Sequence, residues 1–156
     1  MANLVSKRMQ IKKYHAIDLD IYEAGLELRN KILRIPLGKS LYDENLSIEK
    51  ENDFYGLFLE NVLSATLGIF EESPIIAHLT SFAVEEKVQQ MGVGSALLNF
   101  VENDLVKMGF KEIEVSARQT ALGFYQKMGF EVSDGPIWNE DLEIWDFLMF
   151  KKLKDI

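Results

Sequence analysis

Three consecutive segments rich in aromatic and branched residues constrain the fold of this chain more than any other sequence feature. They occupy Phe54–Glu60, Val62–Phe70 and Ile75–Val84, and only short turns separate them. Such composition is typical of β-strands. A short turn cannot provide the crossover that parallel neighbours need, so we predict that these strands pair antiparallel.

The rest of the chain alternates between helix and strand patterns. Periodicity and capping residues predict, in chain order, a strand over Met9–His15, a helix over Asp18–Arg34, a loop with one helical turn over Gly38–Asp53, a helix that carries Leu97, Val101, Leu105 and Met108 and ends at Gly109, a strand over Phe110–Ala117, a short helix over Ala121–Met128, and strands over Phe130–Ser133 and Glu143–Lys152. This order is typical of a mixed α/β (α+β) domain. The length of 156 residues suits one domain, which we expect over residues 1–156.

Composition excludes several kinds of site. The chain has no cysteine, which excludes disulfides, thiolate metal ligands and a cysteine nucleophile, and we expect no metal. Its 25 acidic residues outnumber the 17 basic ones, and the net charge of −8 disfavours nucleic acid and anionic lipid as partners. Met1–Gln10 lacks the apolar run that a signal peptide needs. We therefore expect a cytoplasmic protein that does not bind membranes.

A glycine-containing segment, Gln89–Gln90–Met91–Gly92–Val93–Gly94, lies between a predicted strand and a predicted helix. The first backbone amides of a helix have no partner within the helix. Two glycines would leave these amides uncrowded, Ser95 adds a hydroxyl, and the helix dipole favours an anion. The segment therefore predicts an anion-binding loop, although a flexible loop that only caps the helix would have the same sequence.

Two segments, Val84–Leu98 and Ala121–Phe130, resemble motifs of the GNAT superfamily of N-acetyltransferases, which use acetyl-coenzyme A (acetyl-CoA). Val84–Leu98 is similar to the coenzyme-binding motif, in which Arg/Gln-x-x-Gly-x-Gly/Ala follows a strand that ends in valine. Ala121–Phe130 is similar to the second signature, A-x-x-F-Y-x-x-x-G-F. The resemblance is close from about Ile75 to Phe130, and both motifs stand in the family's order and at its spacing.

This resemblance implies the GNAT acyl-CoA N-acyltransferase fold: a central, strongly twisted mixed sheet flanked by helices, with the fourth and fifth strands splayed apart. It also implies acetyl-CoA as the cosubstrate. The pantetheine arm would pair with the fourth strand, and the pyrophosphate would bind the loop that follows it. The coenzyme-binding residues implied in this way are Phe82, Ala83, Val84, Gln89, Gln90, Met91, Gly92, Val93, Gly94, Ser95 and Phe124.

Tyr125 is the first catalytic candidate. In the family, the tyrosine of the second signature points its hydroxyl at the coenzyme sulfur, which implies that Tyr125 protonates the departing thiolate. A phenol with an ordinary pKa of about 10 keeps its proton at neutral pH and can donate it. The alternative is that Tyr125 only packs on the apolar face of a short helix.

His78 is the second catalytic candidate. It stands in the predicted fourth strand, and strand alternation places it on one face with Thr80, Phe82 and Val84. Some family members carry a histidine or a glutamate near this place and use it as a base. A histidine can accept a proton near pH 7. The alternative is that His78 is a half-buried polar residue without a catalytic role.

Six further residues are weaker candidates. Glu114 and Ser116 on the facing strand could hold water or acceptor. Arg29 is a cation on the first helix, near where members of this family bind the acceptor. We expect a surface role for each of the three. Trp138, Trp145 and Met149 could line an acceptor pocket, but residues of this kind are more often part of the core.

The sequence therefore predicts an enzyme that transfers acetyl from acetyl-CoA to a primary amine by direct attack in a ternary complex. The acceptor is a small molecule, an amino acid or a peptide. A non-catalytic acyl-CoA sensor and an unrelated α/β interaction module are the alternatives, although a sensor needs neither Tyr125 nor His78. The oligomeric state stays open, with a homodimer as one option.

Overall fold

The structure is a computed structural model that describes residues 8–154. Its regular elements are, in chain order, β1 (Met9–Tyr14), α1 (Leu19–Leu33), β2 (Asp53–Leu59), β3 (Val62–Ser73), β4 (Ile76–Val84), α2 (Val93–Lys107), β5 (Glu112–Arg118), α3 (Leu122–Lys127), β6 (Glu131–Asn139) and β7 (Ile144–Lys152). Short 3-10 helices at Ile35–Leu37, Leu41–Asp43, Leu46–Glu49, Glu86–Met91 and Gln119–Ala121 connect them. The predicted order of elements is confirmed.

Within residues 8–154, seven strands form one mixed sheet in the order β1-β2-β3-β4-β5-β7-β6. The pairs β1–β2, β2–β3, β5–β7 and β6–β7 are antiparallel, whereas β4 and β5 are parallel. The parallel register joins Ile76–Leu79 to Glu112–Val115, although β4 and β5 both continue beyond it. This short register is what splayed fourth and fifth strands require. The predicted mixed α/β class is confirmed.

The last hairpin is longer than the sequence pattern indicates. We predicted that a strand would end at Ser133, because Gly135 and Pro136 are typical of a turn. Instead β6 continues to Asn139, and its register against β7 shifts on both sides of Asp134. β6 is an edge strand of the sheet, where irregular pairing and a proline are tolerated because no second neighbour needs the missing amide.

The described residues group into two compact units, and both contain fully buried side chains. The first unit has residues 8–70 and 81–101, and the second has residues 71–80 and 102–154. The largest buried side chains of the first unit are Tyr14, Leu41, Phe54, Tyr55, Leu57, Leu67, Leu97 and Leu98. Those of the second unit are Leu79, Leu105, Ile113 and Met149. The single domain predicted over residues 1–156 stays a prediction, and its first seven and last two residues lie outside the described residues.

Arg29 contradicts our expectation of a surface role. Its side chain is buried, with only 3% of the residue exposed. The guanidinium donates two hydrogen bonds to the Glu49 carboxylate, from Nη1 to Oε1 at 2.8 Å and from Nη2 to Oε2 at 2.9 Å. The Tyr22 hydroxyl donates to the same carboxylate, and the guanidinium lies 5.7 Å from the ring centroid of Phe54. Arg29 thus joins α1 to the 3-10 helix Leu46–Glu49, since a buried charge needs a partner.

Among the described residues, no helix combines the length and the apolar character that a membrane crossing requires.

Candidate active site

The predicted anion-binding loop leads directly into α2. The 3-10 helix Glu86–Met91 ends at Gly92, which has a left-handed backbone conformation with φ of 76°. Helix α2 then begins at Val93, and its first hydrogen bond joins the Ala96 amide to the Gly92 carbonyl at 3.0 Å. The amides of Val93, Gly94 and Ser95 precede this bond, so they have no carbonyl partner within the helix. They lie at the positive end of a helix of 15 residues.

Two hydrogen bonds hold the approach to this loop. The Glu85 amide donates to the Ser64 carbonyl of β3 at 2.8 Å. The Gln89 side chain donates from Nε2 to the Val84 carbonyl at 3.0 Å, so it folds back on the end of β4. Val93 and Gly94 are buried, whereas Gly92 is exposed. The backbone that leads into α2 is therefore anchored, while its αL turn faces solvent.

The strand residues predicted for the pantetheine arm lie at the carboxyl end of β4. Ala83 is buried, and Phe82 and Val84 are half-buried. Ser81, just before them, has a φ of 57°, which is uncommon for a residue other than glycine. The strand is therefore irregular at Ser81, and the face predicted to extend from His78 through Val84 is regular only as far as Thr80.

Tyr125 lies in α3 among other aromatic rings. Its ring makes edge contacts with Phe124 and Phe130, each with the centroids 5.3 Å apart. The side chain is buried, and this burial raises the pKa of Tyr125 above its ordinary value because the phenolate would lose its hydration. The hydroxyl thus keeps its proton across the neutral range. Burial agrees with the packing interpretation, and a retained proton is what an acid needs, so both interpretations of Tyr125 remain predictions.

His78 and Glu114 form a hydrogen-bonded pair across β4 and β5. They are direct partners in the parallel register, and His78 Nδ1 lies 2.8 Å from Glu114 Oε1. Only 15% of the His78 side chain and 20% of the Glu114 side chain are exposed. The neighbours of each residue along its strand, Ala77, Leu79, Ile113 and Val115, are buried and fix both backbones. The pair is therefore built into the sheet, and Glu114 is not the surface residue that we expected.

A third carboxylate lies near this pair. Glu72, at the end of β3, is exposed, and its nearest oxygen lies with His78 and Glu114 in a group whose polar atoms are all within 4.8 Å of one another. Such spacing is compatible with a cation. However, the direct hydrogen bond already accounts for the two half-buried members, so we assign no metal to this group.

Comparison with known proteins identifies the family. The model of the acetyltransferase (GNAT) domain matches residues 35–150, which is most of the chain. The chain belongs to the GNAT family of acetyltransferases. No curated protein is significantly similar to it in sequence.

Solved structures share the fold of this GNAT acetyltransferase at low sequence identity. An inferred N-acetyltransferase from Lactobacillus plantarum is 20% identical, with a TM-score of 0.82 over 94% of this chain and 99% of that one. The ribosomal-protein-S18-alanine N-acetyltransferase from Escherichia coli is 16% identical, with a TM-score of 0.71 over 96% of both chains. A GNAT acetyltransferase from Elizabethkingia anophelis with acetyl-CoA bound is 21% identical, with a TM-score of 0.68 over 93% of this chain and 98% of that one.

The tryptophans of this GNAT protein contradict the expectation that they belong to the core. Trp138 is 48% exposed and Trp145 is 45% exposed, and their rings meet edge to face at 5.0 Å between centroids. They are paired residues of the β6–β7 hairpin, which ends the sheet. Met149, four residues further along β7, is fully buried as expected. Trp138 lies on the edge strand β6, and its partner Trp145 lies on β7 just beyond the last residue that pairs with β5, Asp146.

Sequence reasoning underestimated Glu114. It named the residue but could not place it against His78, because the register of two parallel strands depends on pairing between distant segments. A weak signal was present in the alternation of β5, which puts Glu112 and Glu114 on the face opposite to the buried Ile113 and Val115. Ser116 is exposed, in agreement with the surface role that we expected.

Proposed function

We propose that this GNAT acetyltransferase transfers the acetyl group of acetyl-CoA to a primary amine by direct attack in a ternary complex. The observation that carries the proposal is the αL turn at Gly92, which precedes the unpaired amides at the start of α2. An amide cluster at a positive helix end suits a diphosphate. A structural relative, the Elizabethkingia anophelis protein, has acetyl-CoA bound.

Binding of the coenzyme would involve two segments that follow one another in the chain: the carboxyl end of β4 and the loop that leads into α2. The amides of Val93, Gly94 and Ser95 would donate to the pyrophosphate, and the turn at Gly92 leaves space beside them, since a Cβ there would meet no atom within 4 Å. The pantetheine arm would pair with the backbone of Phe82, Ala83 and Val84. Gln89, Gln90, Met91 and Phe124 complete the proposed contacts.

The chemistry requires two proton transfers. The amine nitrogen attacks the thioester carbon, a C–N bond forms, and the C–S bond breaks to release the coenzyme thiolate. His78 would accept the proton that the amine loses, and Tyr125 would donate a proton to the thiolate. The products are the acetylated amine and free coenzyme A. A positioned acid or base of this kind contributes about 10²- to 10⁴-fold to a rate.

The acceptor class follows from the amine chemistry and the charge of the chain. The net charge of −8 favours a cationic molecule near the surface. One protein of the same fold, the Escherichia coli enzyme, is named for its acceptor, an alanine of ribosomal protein S18. We therefore propose a small-molecule, amino-acid or peptide amine as the acceptor.

A two-step experiment tests this function. We expect acetyl-CoA at 100 times its dissociation constant to stabilise the folded protein by about 2.7 kcal/mol in a thermal unfolding assay. Free thiol should then appear when a panel of primary amines is added. Absence of stabilisation would refute coenzyme binding. Stabilisation without thiol release from any amine would favour the sensor over the enzyme.

A further inference from the structure

We infer that Glu114 is the positioning residue for His78, and that its carboxylate fixes the imidazole in the tautomer that can accept the amine proton. This inference rests on the proposed function, because it assigns a role within the same reaction. The structural part of it, a defined tautomer of His78, can be tested without any substrate.

The geometry comes from the sheet. Glu114 stands opposite His78 in the parallel register, and β7 pairs with β5 on its other side, where Phe150 is the partner of Glu114. Neither strand can slide, since a shift by one residue would turn the buried Ile113 and Val115 to the opposite face. The 2.8 Å contact between His78 Nδ1 and Glu114 Oε1 is therefore a product of strand register.

The direction of this hydrogen bond determines the tautomer. An ionised carboxylate can only accept hydrogen bonds, so the ring nitrogen that faces it must carry the hydrogen. Neutral His78 then has its proton on Nδ1 and its lone pair on Nε2. Nε2, which has the lone pair, is then the ring atom that can take a proton from the amine. The Glu114 carboxylate would stabilise the imidazolium that forms, as the buried carboxylate does in a catalytic triad.

Two carboxylates lie near the imidazole, and the hydrogen bond with Nδ1 is made by Glu114. Glu114 approaches from β5, and Glu72 approaches from the end of β3. Both would stabilise a positive ring by their charge. Glu114 is half-buried and in hydrogen-bond contact with Nδ1, whereas Glu72 is exposed. Glu72→Gln is therefore a matched control, because it removes the same charge without removing the tautomer constraint.

The tautomer is measured by nitrogen-15 NMR of the imidazole rings. The chain has only two histidines, His15 and His78, so the spectrum of a His78→Gln variant assigns both. We expect the Nδ1–H form of His78 to dominate in the wild type and in Glu72→Gln. In Glu114→Gln we expect the population of the Nε2–H form to increase, because the glutamine NH2 group can donate a hydrogen bond to Nδ1. A wild-type ring with its proton on Nε2 would overturn the inference.

Kinetics tests whether the pair acts as a unit. We expect Glu114→Gln to lower kcat by about ten- to a hundred-fold with a change in KM for the amine of less than about three-fold. Glu72→Gln should change kcat by less than about three-fold.

A double substitution separates positioning from general structural damage. In a His78→Ala background, Glu114→Gln should cause no further loss of kcat, because Glu114 acts through His78. Equal losses in both backgrounds would overturn the inference. If NMR finds the Nδ1–H tautomer but no amine releases thiol, the proposed function fails while the histidine–glutamate pair stands. Thermal unfolding of each variant verifies that it is folded.

Discussion

Gly92 and Gly38 have nearly the same backbone conformation but different surroundings. Gly92 has φ 76° and ψ 13°, and Gly38 has φ 72° and ψ 23°. A Cβ added at either position would meet no atom within 4 Å, so any cost of a side chain comes from the left-handed backbone. Only Gly92 precedes the unpaired amides of α2. This pair of glycines separates backbone strain from coenzyme binding.

We predict that Gly92→Val weakens acetyl-CoA binding more than about ten-fold, or 1.4 kcal/mol, because the side chain would occupy the open space beside the amides where the pyrophosphate would lie. Gly38→Val serves as the control. Both variants should lose a similar free energy of unfolding, roughly 1–2 kcal/mol, from the left-handed backbone. Calorimetry measures the affinities. Equal affinity in the two folded variants would contradict the assignment of the loop.

Tyr125 has the environment that keeps a phenol protonated. We predict that Tyr125→Phe lowers kcat by about ten- to a thousand-fold and leaves the affinity for acetyl-CoA near that of the wild type, because only a hydroxyl is lost. Tyr14→Phe is the matched control. It removes another buried hydroxyl, one that contacts Thr66 Oγ1 and has no role in the proposed reaction. Steady-state kinetics with one amine gives the comparison, and unchanged turnover in Tyr125→Phe would leave Tyr125 as a packing residue.

At the scale of elements, buried charges join parts of the chain that are distant in sequence. Arg29 on α1 and Glu49 of the 3-10 helix Leu46–Glu49 form a bidentate pair with almost no exposure. Lys31, two residues along the same helix, pairs with Glu85 at 2.7 Å on the surface. The two pairs have similar lengths but different solvation. Any difference between their contributions to the free energy of unfolding should therefore come from burial.

We predict that Glu49→Gln or Arg29→Met lowers the free energy of unfolding by about 3–5 kcal/mol, because each leaves the other charge buried without its partner. The double variant should lose less than the sum of the two single variants. Lys31→Ala should have a much smaller effect, because water replaces the lost partner of Glu85. Denaturant unfolding measures all four variants. Losses as small for Glu49→Gln as for Lys31→Ala would contradict the buried pair.

At the scale of the whole molecule, buried tyrosines should make the free energy of unfolding depend on pH in the alkaline range. Burial is the main cause of a raised pKa at Tyr14, Tyr22 and Tyr125. A group whose pKa is higher in the folded than in the unfolded state stabilises the fold below its unfolded pKa. That stability is lost as the pH rises towards the folded pKa. The unfolded value for tyrosine is about 10.

We therefore predict that the free energy of unfolding falls steeply above about pH 10, where unfolded tyrosines ionise and the buried ones cannot. Urea unfolding between pH 8 and pH 11.5 measures this slope. Lysines also titrate in this range, so the tyrosine contribution is isolated by Tyr14→Phe and Tyr125→Phe, each of which should reduce the slope. A slope unchanged in both variants would assign the alkaline loss to other groups.

Local sequence determined the order of elements and the position of the loop. Strand alternation, helix periodicity and glycine caps depend on neighbours a few residues apart, so β4, the turn at Gly92 and α2 were predictable together. The GNAT resemblance relied on the same local motifs, and the family match over residues 35–150 confirms it. The cytoplasmic location and the homodimer stay predictions.

Tertiary structure alone decided which distant residues meet. β6 is the edge strand next to β7, and the register of these two strands pairs Trp138 with Trp145. Register places Glu114 opposite His78, 36 residues earlier, and the fold buries Arg29 against Glu49, 20 residues away. Such pairings follow from strand register and burial, which depend on the whole chain packing at once. The sequence around a residue therefore gives almost no information about which distant residue it will contact.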